Sequence, residues 1–264
     1  MIDLRFSESE LAARREHIEQ FLQEQVAAAG AEGAVIGLSG GIDSATTAHL
    51  AVEALGADSV RGLVLPGTVS ADHNMSHAEL VAEELEIAYD LVPIGRMVDT
   101  VLDGFPEISD DTVAIGNARA RMRAVCTYLV ANHDDRLVLG TGNRSEAQVG
   151  YFTKYGDGAV DCHPIGNLYK VQVRQLARAL GVPEAIVEKP PTAGLWTGQT
   201  DEEELGLSYD ELDPILALHV DGPLSADATA RELDVDRETV ERVRELHAGS
   251  AHKRSMPPSP EPLE

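Results

Sequence analysis

The amino-acid sequence predicts an α/β protein with a doubly wound parallel sheet flanked by helices. Short apolar runs typical of buried strands alternate with segments of helical periodicity, and this alternation favours parallel strands joined by crossover helices. The length of 264 residues suits one large domain with a substantial core, and we find neither an internal repeat nor a second domain. We therefore expect a single domain over residues 1–255 and a flexible, proline-rich tail over residues 256–264.

The first half of the chain carries the clearest alternation. A capping box formed by Ser7 and Glu10 begins a helix whose apolar residues recur at helical spacing. Strands are predicted at 34–38, 60–65, 89–94 and 136–140, and helices between them at 44–55, 72–87, 94–103 and 112–132. In such a sheet, ligands bind beyond the carboxyl ends of strands, which places the loops at 39–44 and 141–146 at a candidate site.

The second half has fewer strand signals. A polar, glycine-rich segment over 151–168 precedes a predicted helix at 170–180. Residues 189–208 contain two prolines and an acidic run, which predicts a mobile loop, and we expect its later part to close over ligand together with residues 252–254. Residues 226–243 indicate two short helices. Such a pair either packs against the core or forms a DNA-binding helix-turn-helix.

The composition is strongly acidic, with 45 Asp and Glu against 21 Lys and Arg and a formal net charge of −24. This charge disfavours binding to nucleic-acid phosphates. It resembles the surface of proteins from salt-loving organisms, in which salt screens self-repulsion, so we expect a halophilic protein. We find no apolar run of 18 residues and no signal peptide, which predicts a soluble, cytoplasmic protein without membrane contact. The two cysteines, Cys126 and Cys162, form no recognisable metal motif.

The most informative segment is GLSGGIDS, residues 37–44, which lies between an apolar strand and an apolar helix. Its central glycines let the backbone approach a ligand closely, and the helix start offers free N–H groups at the positive end of the helix dipole. Serine hydroxyls and the carboxylate of Asp43 complete a loop suited to a polyphosphate with a divalent metal. The loop is neither a Walker sequence nor a dinucleotide fingerprint, because GK[ST] and GxGxxG are both absent.

SGGxDS resembles the pyrophosphate loop of the ATP pyrophosphatases, which cleave ATP between the α- and β-phosphates and adenylate an oxygen of the substrate. Further blocks narrow the resemblance: TGNRSE at 141–146, PIGNLYK at 164–170, KPPTAGLW at 189–196 and HKR at 252–254. With these blocks the chain resembles the ammonia-dependent NAD synthetases over residues 10–255. The resemblance implies an adenine nucleotide alpha hydrolase-like fold.

The resemblance also implies the ligand contacts. The residues expected to bind ATP are Gly37, Leu38, Ser39, Gly40, Gly41, Ile42, Asp43, Ser44, Thr141, Lys170 and Thr192. Those expected to bind deamido-NAD are Arg121, Lys154, Asp161, His252 and Lys253. Mg²⁺ is expected on Asp43 and Glu146, since this ion takes a few carboxylates together with phosphate oxygens and water. No side chain is expected to act as a nucleophile.

The implied reaction transfers AMP from ATP to the nicotinate carboxylate of deamido-NAD, and ammonia then displaces AMP to give NAD. The resemblance implies a homodimer in which the helix carrying Arg121 lies at the interface. The chain begins at the synthetase helix without an amidase domain, so we expect free ammonia or a separate partner to supply nitrogen. The rival interpretations within the superfamily are a GMP synthetase, expected to carry a dimerisation domain, and a tRNA thiolation enzyme, expected to show catalytic cysteines and a cationic surface.

Overall fold

The computed structural model describes residues 2–67, 72–194, 196 and 198–260, apart from the side chains of Asp72 and His73. The strands are β1 Gly33–Gly37, β2 Val60–Val64, β3 Ala88–Leu91 and β4 Arg136–Leu139. The helices are α1 Glu8–Ala29, α2 Ile42–Leu55, α3 Asp72–Glu84, α4 Gly95–Leu102, α5 Thr112–Asp134, α6 Arg144–Val149, α7 Lys170–Ala179, α8 Glu184–Val187, α9 Asp201–Leu205, α10 Tyr209–Ile215, α11 Ala226–Leu233 and α12 Arg237–Gly249. Within the described residues, the strands form one parallel sheet in the order β3-β2-β1-β4.

Side chains of each strand alternate between two helical layers. Ala34 and Ile36 of β1 lie in the core shared with α1, α2, α3 and α7. Val35, between them, lies in the core shared with α4 and α5 on the opposite face. The predicted doubly wound α/β arrangement is therefore confirmed, and the two-residue repeat of a strand explains it.

A third apolar cluster joins the C-terminal helices to the site-bearing segment. Leu212 of α10 and Val240 and Val243 of α12 are fully buried in it, together with Val149 at the end of α6 and Tyr169 just before α7. The helix pair α11–α12 thus packs against the rest of the protein. No described helix combines the length and the apolar character needed to cross a membrane.

The strand order creates a crevice between β1 and β4. The chain moves outward from β1 through β2 to β3 and then returns to the other side of β1 as β4. The loops that follow β1 and β4 consequently leave the same edge of the sheet in opposite directions. Ligands of open α/β sheets bind at such a switch point, and both predicted loops lie there.

Two predicted elements differ from the structure. The strand predicted at 89–94 ends at Leu91, although the N–H groups of Val92 and Ile94 still donate to Val64 and Pro66, each at 2.9 Å. The loop predicted at 189–208 contains α9, where Thr200 accepts a hydrogen bond from the N–H of Glu203 and four acidic residues follow in the first turn. Leu195 and Thr197 of that loop, and residues 261–264 of the predicted tail, lie outside the described residues.

Candidate active site

The glycine loop joins β1 to α2 in a conformation that requires glycine. Gly40 has a φ of 72°, and a Cβ added there would lie 2.1 Å from the carbonyl oxygen of Asn74. The hydroxyls of Ser39 and Ser44 lie 3.1 Å apart, and Ser44 also donates to the carbonyl oxygen of Gly41 at 3.0 Å. Gly41 is the N-cap residue of α2 and offers no side chain to cap it. The first N–H groups of α2 are therefore suited to an anion.

A charged cluster lies beside this loop, and it consists of Asp43, Glu146 and Lys170. Lys170 is 2% exposed, and its Nζ lies 2.5 Å from Oδ2 of Asp43 and 3.1 Å from Oε1 of Glu146. Asp43 comes from the first turn of α2, Glu146 from α6 and Lys170 from the start of α7. The fold thus assembles three elements, distant in sequence, around one ammonium group.

Asn143 fixes both carboxylates of the charged cluster. Its side chain accepts from the N–H of Glu146 at 3.0 Å, while Glu146 accepts from the N–H of Asn143, so the two residues form a capping box for α6. The Nδ2 group of Asn143 donates to Oδ1 of Asp43 at 2.9 Å. Sequence reasoning missed Asn143, although its spacing from Glu146 is that of a capping box.

The charged groups of the cluster shift one another's pKa values. Burial raises the pKa of Glu146 to about 7, Lys170 opposes this rise and Asp43 adds to it. Burial by itself lowers the pKa of Lys170, but Asp43 and Glu146 more than offset burial, and the pKa lies above its ordinary value. Lys170 therefore stays charged, and the carboxylates gain from a cation between them.

Buried groups behind the cluster hold α6, α7 and α10 together, and sequence reasoning missed them. Asp213 of α10, fully buried, accepts from Oγ of Ser145 at 2.5 Å and from the N–H of Val171 at 3.0 Å. Oγ of Ser145 in turn accepts from the N–H of Lys170 at 2.9 Å. Two first-turn N–H groups of α7 are thus capped from outside the helix, next to Glu146 and Lys170.

A second group of side chains lies toward α5, and we call Arg121, Lys154, His252 and Lys253 the basic cluster. Arg121 donates to the carbonyl oxygen of Lys154 at 3.2 Å, and Nζ of Lys154 donates to the carbonyl oxygen of His252. Nζ of Lys253 donates to the carbonyl oxygens of Gly150 and Phe152 at 2.7 and 2.9 Å. In these contacts the cationic groups donate hydrogen bonds to uncharged backbone carbonyl oxygens.

The similarity to known proteins is extensive. A model of the NAD synthase family matches residues 14–257. The chain belongs to this family. It is accordingly a ligase of NAD biosynthesis. An NH(3)-dependent NAD(+) synthetase of Halobacterium salinarum is 63% identical, over 98% of this chain and 97% of that protein. One from Pyrococcus furiosus is 50% identical, over 87% of this chain and 88% of that protein.

Solved structures of the NAD synthase family and its relatives share the fold. An NMN synthetase from Francisella tularensis is 38% identical with a TM-score of 0.84, over 97% of this chain and 99% of that one. An NH3-dependent NAD synthetase from Campylobacter jejuni, solved with nitrate, is 31% identical with a TM-score of 0.77, over 95% of this chain and 99% of that one. The expectation of a halophilic protein agrees with the 63% identity to the Halobacterium relative.

The remaining predicted residues lie around the two clusters. Thr141 is two residues beyond the end of β4 and is half-buried. Thr192 donates to the carbonyl oxygen of Gln199 at 2.7 Å, near the start of α9. Asp161 uses both carboxylate oxygens within the chain, accepting from the N–H of Val138 at 2.7 Å and from the hydroxyl of Tyr128 at 3.0 Å. Asp161 is therefore already tied to the end of β4.

The carboxylates of Asp43 and Glu146 fit a divalent cation. Among the described residues, no three His, Cys, Asp or Glu side chains form a metal cluster. Asp43 and Glu146 nevertheless converge on one cation, the ammonium of Lys170. Two carboxylates that meet in this way suit Mg²⁺, which completes its shell with phosphate oxygens and water.

Proposed function

We propose that the chain makes NAD from deamido-NAD, ATP and ammonia at the crevice between β1 and β4, with release of AMP and pyrophosphate. The observation that carries this proposal is the charged cluster of Asp43, Glu146 and Lys170 beside the glycine loop. Membership of the NAD synthase family supports the same reaction. Since ATP and NAD are metabolites of the cell interior, we place the reaction in the cytoplasm.

The chemistry requires activation of a carboxylate. Ammonia does not displace oxide from a carboxylate, so the nicotinate oxygen first attacks the α-phosphorus of ATP. The bond between the α-phosphorus and the oxygen that bridges the α- and β-phosphates breaks, and pyrophosphate leaves with the electron pair of that bond. Ammonia then attacks the acyl carbon, and AMP leaves with the former carboxylate oxygen. The task of the protein is orientation and charge stabilisation, so no nucleophilic side chain is required.

ATP is held on the glycine loop in this proposal. Residues 37–44 supply backbone N–H groups and two hydroxyls, and the start of α2, which has no side-chain cap, favours the negative phosphates. Lys170 neutralises phosphate charge, and Thr141 and Thr192 border the nucleotide. Asp43 and Glu146 hold Mg²⁺, which supplies Lewis-acid polarisation of the phosphate oxygens. Lys170 then exchanges part of its contact with these carboxylates for contact with phosphate.

Deamido-NAD is proposed to bind along the basic cluster, with Asp161 at its far end. Lys154 and Lys253 contact carbonyl oxygens. Among the described residues neither lysine forms an ion pair, so an incoming phosphate or carboxylate binds without displacing a paired anion. Asp161 acts through the fixed end of β4, since both of its oxygens are bound within the chain.

A homodimer is proposed to complete this region. The α5 side chains Val113, Val125 and Leu129 are 61%, 62% and 71% exposed. Arg121, Val125 and Leu129 are successive i, i+4 positions, so these three lie on one side of α5, beside the basic cluster. A second copy is the partner that the family resemblance implies, and such apolar surfaces are typical of stable homodimer interfaces. Sedimentation at micromolar concentration in molar KCl is expected to give the mass of two chains, and the mass of one chain would contradict the proposal.

The nitrogen donor is proposed to be ammonia, because curated relatives at high identity are NH(3)-dependent. The central experiment incubates the chain with deamido-NAD, ATP, Mg²⁺ and ammonium, and measures NAD, AMP and pyrophosphate. Equal amounts of the three products are expected. Replacement of ammonium by glutamine, in ammonia-free reagents, is expected to abolish NAD formation, and equal rates with glutamine would overturn this part.

A second candidate substrate follows from one structural relative. The Francisella structure is that of an NMN synthetase with 38% identity. The same adenylation chemistry would amidate nicotinic acid mononucleotide to NMN. Comparison of kcat/KM for this mononucleotide and for deamido-NAD separates the two, and we expect deamido-NAD to be preferred.

A further inference from the structure

Lys189 places its ammonium against the glycine loop. Its Nζ donates to the carbonyl oxygen of Gly40 at 3.0 Å and to Oδ1 of Asn74 on α3. Gly40 is the residue whose positive φ and close contact with the Asn74 backbone exclude a side chain. A charged group therefore touches the most constrained residue of the loop that is proposed to hold ATP phosphates.

The charge of Lys189 is not balanced by a carboxylate. Across the part of the chain that the structure describes, its hydrogen-bond acceptors are two neutral oxygens, and it takes part in no ion pair. Burial lowers the pKa of Lys189. Lys170 differs, because its ammonium contacts two carboxylates. Within the described residues, the glycine loop is thus flanked by one cation that forms ion pairs and one that forms none.

Lys189 shares its environment with the lysines proposed to bind the dinucleotide. Lys154 and Lys253 also rest on backbone carbonyl oxygens. These are three of only four lysines in a chain with 45 acidic residues. Because Lys189 forms no ion pair within the described residues, an anionic ligand can bind it without breaking one.

We propose that Lys189 binds the β- and γ-phosphate oxygens of ATP and keeps this contact with pyrophosphate as it leaves. The inference rests on the proposed function, in which the glycine loop holds these phosphates. An ammonium has three N–H donors, so contacts to Gly40 and Asn74 leave one donor for a phosphate oxygen. Lys170 contributes less net charge, because Asp43 and Glu146 share it.

The rival role for Lys189 is purely structural. In that case the side chain ties the loop to α3, and its charge matters only for holding Gly40 and Asn74 together. The two roles predict different results for Asn74. If the side chain is only a tie, loss of the Asn74 acceptor weakens ATP and pyrophosphate binding as loss of Lys189 does, whereas a phosphate contact is lost only when the Lys189 charge is removed.

The test is calorimetric titration of ATP, pyrophosphate and AMP into the protein in KCl and Mg²⁺, without deamido-NAD, so that no reaction occurs. Lys189→Met removes the charge, Lys189→Arg retains it, and Asn74→Ala removes the neighbouring acceptor alone. We expect Lys189→Met to weaken ATP and pyrophosphate binding by about tenfold to a hundredfold, the range of one charge-assisted hydrogen bond, with AMP binding changed by less than about threefold. Lys189→Arg is expected to recover much of the loss.

The outcomes separate the roles. Equal losses of ATP and pyrophosphate affinity in Lys189→Met and in Asn74→Ala would overturn the phosphate contact in favour of the structural tie. Unchanged pyrophosphate binding in Lys189→Met would overturn it as well. AMP binding and a melting temperature close to that of the wild type exclude misfolding of the variant. NAD formation by the wild type is measured in parallel, so that a protein that binds ATP and pyrophosphate but makes no NAD contradicts the proposed function and leaves the Lys189 comparison intact.

Discussion

The charged cluster and the basic cluster differ in the partners of their cations. In the charged cluster, Lys170 lies at 2% exposure between two carboxylates, and Asn143 fixes both of them. In the basic cluster, Arg121 and His252 are exposed, and the lysines rest on carbonyl oxygens. The first region is assembled and internally compensated before ligand arrives. Within the described residues, the cations of the second form no ion pair, and in the proposed function a ligand balances part of their charge.

The difference has an energetic reason. Buried ions need partners, because an unpaired charge in the interior costs several kcal/mol. Exposed cations remain hydrated and tolerate weak acceptors. Removal of one member of the charged cluster therefore disturbs the remaining members, whereas removal of one cation from the basic cluster subtracts only its own contact. Substitutions in the two regions test this contrast directly.

Asp43→Ala is expected to give the largest effect. The change removes the carboxylate nearest Lys170 and, in the proposed mechanism, a Mg²⁺ ligand, so pyrophosphate release is expected to fall by about a thousandfold or more. Glu53→Ala, which removes an exposed carboxylate from the last turn of α2, serves as the matched control. Turnover near the wild-type rate in a folded Asp43→Ala protein would remove Asp43 from the mechanism and weaken the contrast between the regions.

Lys154→Met is expected to give a smaller and more selective effect. Loss of one charge-assisted contact raises the KM for deamido-NAD by about tenfold to a hundredfold, while the affinity for ATP measured by calorimetry stays unchanged. Lys154→Arg keeps the charge and is expected to restore most of the loss. Equal losses of ATP and deamido-NAD binding would show that the two regions are not independent.

The sequence predicted the region near the sheet better than the region behind it. The glycine loop and the strands β1, β2 and β4 are predictable from sequence, because strand periodicity and the SGGxDS spacing are local signals. The contacts of Asp213 carried no such signal, since its partners Ser145 and Val171 lie 68 and 42 residues away. Helix α9 differs from the prediction for another reason. Its acidic run predicts a loop by composition, although Thr200 and Gly206 offer caps at its two ends. The contacts that compensate buried charge depend on tertiary structure, and a single sequence does not display them.

Asp213→Asn is expected to give the smallest effect on turnover and a distinct effect on stability. Burial raises the pKa of Asp213 to about 6 from an ordinary 3.8, while the hydrogen bonds from Ser145 and Val171 oppose the rise. The folded state thus binds this proton more tightly than the unfolded chain does. The contribution of protonated Asp213 to the free energy of unfolding is therefore fully present below pH 4 and is lost as the pH rises through 6.

An asparagine at position 213 has no such dependence, and it can keep both hydrogen bonds if its amide donates to Oγ of Ser145. The free energy of unfolding of the wild type, relative to Asp213→Asn, is therefore expected to fall between pH 4 and pH 7, by an amount on the order of 3 kcal/mol. Denaturant titrations in molar KCl measure it over the part of this range in which the protein is folded. Asp210→Asn, on the exposed side of the same helix, is the control and should run parallel to the wild type. If the curve of Asp213→Asn also runs parallel to that of the wild type, ionisation of the buried Asp213 carboxylate has no cost in stability. Its hydrogen bonds would then offset its burial completely, as the contacts of the charged cluster do for Lys170.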